Sequence, residues 1–293
     1  MNTPNPSRPA FISGLSELAG RYDLIFCDVW GVLHDGLTAF PEAGLALRRF
    51  REGGGRVVLV SNAPRPSPSI VAQLDDYGVP RDAYDDVVTS GDVTRALIAE
   101  RGSERLFHLG PPRDLGLFEG LAQSLVPLEE ADFVVCTGLF DDERETVDDY
   151  AERLRAMKAR DLFLICANPD IVVERGERLI PCAGALAAAY DALGGRTVTG
   201  GKPHRPIYDV ALERGSALLG RAPDLSRVLA VGDAIRTDIA GAREFGVQGL
   251  LIARGIHAAD LGYRDGVLDS ELGSLWLGDQ SHQPNAVAPA LVW

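Results

Sequence analysis

Short apolar runs rich in β-branched and aromatic residues, interleaved with helix-like stretches, set the tightest limit on what this chain can form. YDLIFCDV (22–29), RVVLVSN (56–62), RLFHLG (105–110), DFVVCTGL (132–139), DLFLICANP (161–169), RVLAVGD (227–233) and GLLIAR (249–254) read as strands. Between them, 41–54, 67–78, 91–102, 184–195, 207–220 and 238–246 read as helices. Strands that are apolar throughout, rather than alternating, belong in a parallel sheet covered by helices on both faces. The expected class is therefore α/β. A chain of 293 residues is long for one compact domain, so two are expected. From about residue 270 the tail reads as irregular, and the sequence leaves open whether its ending, ALVW, docks.

Polar residues gather where these strands stop, at Asp28, Ser61 and Asp233. The carboxyl ends of parallel strands are where open α/β sheets bind ligands. Four islands there carry candidate chemistry. In DVWGVLHDG (28–36) an Asp ends a buried strand, and Gly31 allows a sharp turn that exposes the carboxylate for attack on phosphorus. In VSNAP (60–64), Ser61 and Asn62 offer donors to phosphoryl oxygens, although Ser-Asn is also an ordinary turn pair. In GGKPH (200–204), Lys202 either balances phosphoryl charge or is a solvated loop lysine. In AVGDAIRTDIAGA (230–242), Asp233 and Asp238 face each other across a strand-to-helix loop. That spacing suits a hard, oxygen-ligated cation, while Asp238 could instead cap the helix.

Charge and cysteine usage narrow the function class. Basic residues number 29 against 42 acidic, a net −13, which disfavours nucleic acid and anionic membrane surfaces. Cys27, Cys136, Cys166 and Cys182 form no CxxC pair and read as small buried hydrophobes in a reducing compartment. With no signal-like start and no apolar stretch near the ~20 residues of a membrane span, a soluble cytoplasmic protein is expected. GxGxxG after a strand and GxxxxGK[ST] are both absent, so neither dinucleotide binding nor a P-loop has support. The acidic run DDERETVDDY (141–150) reads as a solvated helix start.

Taken in order, the strand-end Asp, the strand-end Ser, the loop Lys and the GDxxxxD turn resemble the four motifs of the haloacid dehalogenase (HAD) superfamily. The likeness is closest to its members with a large α/β cap between the second and third motifs, the NagD-like and p-nitrophenylphosphatase-like enzymes. Ser61 and Lys202 lie 202 − 61 = 141 residues apart, far more than one βα crossover needs. CANPDIVVERGERLIPCAGALAAAY (166–190) also resembles that class. The resemblance, over roughly 20–255, implies a Rossmann-like core from 1–103 plus 191–293 and an α/β cap at 104–190. It implies Asp28 as nucleophile and metal ligand, Ser61 and Asn62 as phosphate contacts, and Lys202 as the stabiliser of the phosphoaspartate. Asp233, Asp238 and the backbone carbonyl of Trp30 would hold Mg²⁺, and Asn168 and Asp170 would be cap contacts to the substrate. A small phosphorylated metabolite (sugar phosphate, nucleotide or aryl phosphate) would be hydrolysed, and the cap could support a homodimer.

One position departs from the pattern. Phosphatases of the superfamily usually carry a second Asp two residues after the nucleophile, where this chain has Trp30. Losing general acid–base help typically costs ~10²–10⁴-fold. Either His34 or Asp35 supplies the proton, or the leaving group needs none, or the protein binds a phosphometabolite with little turnover.

Overall fold

A computed structural model describes residues 9–176 and 178–293. These fall into two compact units, one from residues up to Ser61 with Ala72–Val88 and Tyr208–Trp293, the other from Asn62–Val71 with Thr89–Ile207.

The first unit is built on a seven-stranded sheet. From edge to edge its strands are Ala10–Phe11, Ala286–Ala288, Gln248–Ile252, Val228–Gly232, Leu24–Cys27, Arg56–Ser61 and Asp86–Thr89. Pairings from the first of these through to Arg56–Ser61 are parallel. Leu24–Cys27 and Val228–Gly232 are buried at every position, as the unbroken apolar runs require of strands with helices on both faces. The register sets Val231 beside Cys27, so the two strands end within one residue of each other. Helices Pro41–Glu52 and Ala240–Phe245 bury their apolar faces here.

The tail differs from expectation. Ser270–Gly278 is a helix capped by Asp269, and Ala286–Ala288 is a buried strand. The ending docks: Leu291 is buried, and the Leu15 amide donates to the Val292 carbonyl at 2.7 Å. Three consecutive small or apolar residues are too few to show a period, which is why this strand escaped the sequence reading.

The second unit carries a four-stranded parallel sheet in the order Arg196–Thr199, Phe163–Cys166, Phe133–Cys136, Leu106–Leu109. An antiparallel pair, Val172–Arg175 with Arg178–Pro181, accompanies it. Ser90–Ala99 and Arg196–Thr199, which flank 104–190, pack within this unit. Helix Ser90–Ala99 starts in a capping box, Thr89 and Asp92 each accepting the other's amide. All four cysteines are buried, with no disulfide among them. No described helix is long and apolar enough to cross a membrane.

Candidate active site and metal centre

Asp28, Asp233 and Asp238 come together at the carboxyl ends of the two central strands. One carboxylate oxygen from each lies within 4.8 Å of the others. Asp28 follows Leu24–Cys27 and is half-buried, its amide donating to the Val231 carbonyl of the neighbouring strand at 2.8 Å. Its Oδ1 accepts the Val29 amide at 2.8 Å, which fixes the rotamer. Asp233 follows Val228–Gly232, and its Oδ2 accepts the Ile256 amide at 2.9 Å.

Asp238 does not open a helix, as the sequence suggested. It sits inside a π-turn, Ile235–Ile239, before the α-helix Ala240–Phe245. Such single wide turns often mark functional sites. Its Oδ2 accepts the Ala234 amide at 3.1 Å, so the side chain reaches back toward the strand end. There is room only because residue 232 is a glycine: a Cβ there would lie 2.0 Å from the Asp238 Cγ.

Three glycines leave space for the cluster. A Cβ on Gly31, at φ +78°, would fall 2.1 Å from the Asp233 Oδ2, and one on Gly255 would fall 2.0 Å from the same atom. Buried or half-buried carboxylates this close repel one another unless a cation or a proton intervenes. Three hard oxygen donors with side-chain-free backbone around them fit Mg²⁺.

Ser61 ends Arg56–Ser61 and is buried, also in the first unit. Lys202, Asn62, Asn168 and Asp170 belong to the second unit. There the Asn62 side chain clamps the Lys202 main chain, accepting the amide at 2.7 Å and donating to the carbonyl at 3.1 Å. The same Asn62 Nδ2 donates to Asp170 Oδ1 at 2.8 Å, and the Asp170 amide donates to Asn168 Oδ1 at 3.1 Å. A Cβ on Gly201 would sit 2.7 Å from the Asn62 Oδ1. The GGK sequence thus lets the loop come close enough for Asn62 to hold it.

His34 and Asp35, the two groups weighed in place of a second Asp, each hold local backbone. His34 is buried, and its Nδ1 accepts the Gly36 amide at 2.9 Å. Its ring lies 5.1 Å from Trp30 and 4.8 Å from Tyr77, centroid to centroid. Asp35 Oδ1 accepts the amides of Leu37 and Thr38 at 2.9 and 2.7 Å, shaping the turn. Trp30 packs over Gly36, where a Cβ would meet its ring at 2.3 Å.

Sequence reasoning missed one cluster. Asp142, inside the run expected to be solvated, is buried and accepts from Arg113 at 2.5 Å and Arg175 at 3.1 Å. The arginines come from separate segments, so no local pattern marks the group.

The family described as haloacid dehalogenase-like hydrolase matches residues 25–122, and a HAD-hydrolase-like family matches 199–291. A solved haloacid dehalogenase-like hydrolase from Brucella suis is similar at 52% identity, over 96% of this chain and 100% of its own, with TM-score 0.87. D-glycerol 3-phosphate phosphatase of Mycobacterium tuberculosis is 27% identical, over 95% of this chain and 77% of its own. The structure of a glycerol phosphate phosphatase from that organism in complex with magnesium aligns at TM-score 0.67 and 25% identity, over 93% of this chain and 77% of that one. On its carboxylate triad, its sheet and these matches, the chain belongs to the haloacid dehalogenase-like hydrolases.

Proposed function

We propose that this protein is a Mg²⁺-dependent phosphatase that hydrolyses a small phosphorylated metabolite through a phosphoaspartate on Asp28. The meeting of three carboxylates from positions 28, 233 and 238 carries this reading. Relatives that are phosphatases, one of them solved with magnesium, support it. Asp28, Asp233, Asp238 and the Trp30 carbonyl would hold the ion, whose charge favours the developing anion of the phosphoryl group.

Asp28 attacks phosphorus as the ester P–O bond breaks and the departing oxygen takes a proton from solvent, and water then opens the acyl phosphate, releasing phosphate and restoring the carboxylate. Its Oδ1 is held on the Val29 amide, which fixes the rotamer of the attacking carboxylate. Ser61 contacts the phosphoryl oxygens, and Lys202 balances their charge. Asn62 positions Lys202 through the main-chain clamp. The second unit, through its residues 104–190, selects the substrate.

A second reading rests on Trp30, which has no proton to give the leaving group: the site binds a phosphometabolite and turns it over slowly. Removing divalent ions with a chelator should abolish hydrolysis of p-nitrophenyl phosphate, and Mg²⁺ should restore it. Asp28→Asn should lower kcat by ~10³-fold or more. Full activity in chelator, or in Asp28→Asn, would overturn the phosphatase reading. Trp30→Asp separates the two readings, with Trp30→Asn as the packing control. A large gain confined to Trp30→Asp would mean that the native site is impaired, whereas a fall in both means that Trp30 serves a working mechanism.

A further inference from the structure

A cavity of about 90 Å³ opens within the second unit, at the carboxyl ends of its sheet strands. Arg65, Arg113 and Arg175 line it, together with Asp114, Asp142 and Thr137. Three guanidiniums share the cavity with two carboxyls, and Arg175 also lies 3.8 Å from Glu143 Oε1, in a chain of net −13. A small anion is repelled by the molecule at large, and these guanidiniums are the donors it would meet here.

Buried Asp142 orients the guanidiniums, accepting from Arg113 at 2.5 Å and from Arg175 at 3.1 Å. Each guanidinium has five donors in a planar fork, so one bond to Asp142 leaves others for a ligand carboxylate. Asp114 is 2% exposed, and burial pushes its carboxyl up from the ordinary range. Asn168 also lines the cavity, and its side chain holds the Asp170 amide at 3.1 Å. Asp170 in turn bonds to Asn62, the residue that clamps Lys202. Cavity and lysine loop are therefore joined by one hydrogen-bonded chain within a single unit.

We propose that this arginine-lined cavity binds a carboxylate at the non-reacting end of the substrate, so that the preferred substrates are small phosphate monoesters bearing a carboxylate. The inference rests on the phosphatase reading for which end of the substrate lies at Lys202. The matched probes are 3-phosphoglycerate and glycerol 3-phosphate, which share a phosphoryl group and a three-carbon chain but differ in carboxylate against hydroxymethyl. The native protein should favour 3-phosphoglycerate in kcat/KM by ~10-fold or more, chiefly through KM, as a charged hydrogen bond predicts. Arg113→Gln, at a half-exposed side chain, should bring that ratio close to one and leave glycerol 3-phosphate nearly unchanged. A merely structural ion pair would instead weaken both esters alike. Calorimetric titration of Asp28→Asn with the same two compounds reads the cavity without chemistry. Tighter binding of 3-phosphoglycerate, lost in Asp28→Asn/Arg113→Gln, supports the cavity even if neither ester is hydrolysed. Equal affinities, or a ratio indifferent to Arg113→Gln, overturn it.

Discussion

Gly31 decides how closely the loop after Asp28 can approach Asp233. Its φ of +78° and the 2.1 Å separation between a hypothetical Cβ and the Asp233 Oδ2 are independent demands for glycine. Gly78 has nearly the same φ, +76°, with nothing near its Cβ position. The two glycines therefore separate backbone strain from crowding of the site. Gly78→Ala should cost about 1 kcal/mol in stability and nothing in activity. Gly31→Ala should stay folded by circular dichroism but lose ~10-fold or more in kcat/KM, with weaker Mg²⁺ dependence. Equal activity losses in the two variants would show that crowding at Asp233 does not matter.

His108 gives the second unit a pH signature. Burial lowers its imidazole from 6.5 to about 4, and its Nε2 bonds to Thr137 Oγ1 at 2.8 Å. A depressed folded value means the unfolded chain takes up the proton first as pH falls. The stabilisation is thus complete above about pH 6.5, declines between 6.5 and 4, and levels off below. His108→Gln should flatten thermal stability across that window, as scanning calorimetry at stepped pH would show.

Among the elements, those with long apolar runs were legible in sequence. Leu24–Cys27 and Val228–Gly232, which aim Asp28 and Asp233, stood out because no polar residue interrupts them. Asp86–Thr89 and Arg196–Thr199 are four-residue strands that begin on a charge, and neither periodicity nor length separates them from loop. The pair Val172–Arg175 and Arg178–Pro181 is interrupted by charged residues, one of which, Arg175, lines the cavity. The triad was legible because motif order survives in the chain, whereas the Arg113–Asp142–Arg175 group exists only after folding.

At the opposite end of the first sheet, Asp85 joins three pieces of structure. It receives Arg51 at 2.9 and 2.6 Å and the Val57 amide at 2.8 Å, tying helix Pro41–Glu52 to the start of Arg56–Ser61. Its side chain is only 5% exposed, so Asp85→Ala strands a guanidinium and an amide. The expected loss is about 2–3 kcal/mol by denaturant titration, with kcat/KM retained. An unchanged midpoint would mean that water replaces the carboxylate at no cost.

For the whole molecule, a charge of −13 puts a premium on any bound cation. Mg²⁺ at about 100 times its Kd should stabilise the protein by ~2.7 kcal/mol relative to chelator. Asp238→Asn keeps an oxygen for the Ala234 amide while removing one of three crowded charges. In chelator the variant should melt no lower than the native protein, and its Mg²⁺-induced shift should vanish. A retained shift would place the ion elsewhere.

The side-by-side pairing of Leu24–Cys27 with Val228–Gly232 also fixes an order of events during synthesis. Some two hundred residues separate the partners, so the ribosome delivers Asp28 long before the strand that completes its surroundings. Until then the nascent chain holds a central strand with one flank bare, the kind of edge that recruits other chains. Maturation of the reaction centre is therefore a late step, and ribosome stalling before residue 230 would leave a sticky, inert intermediate.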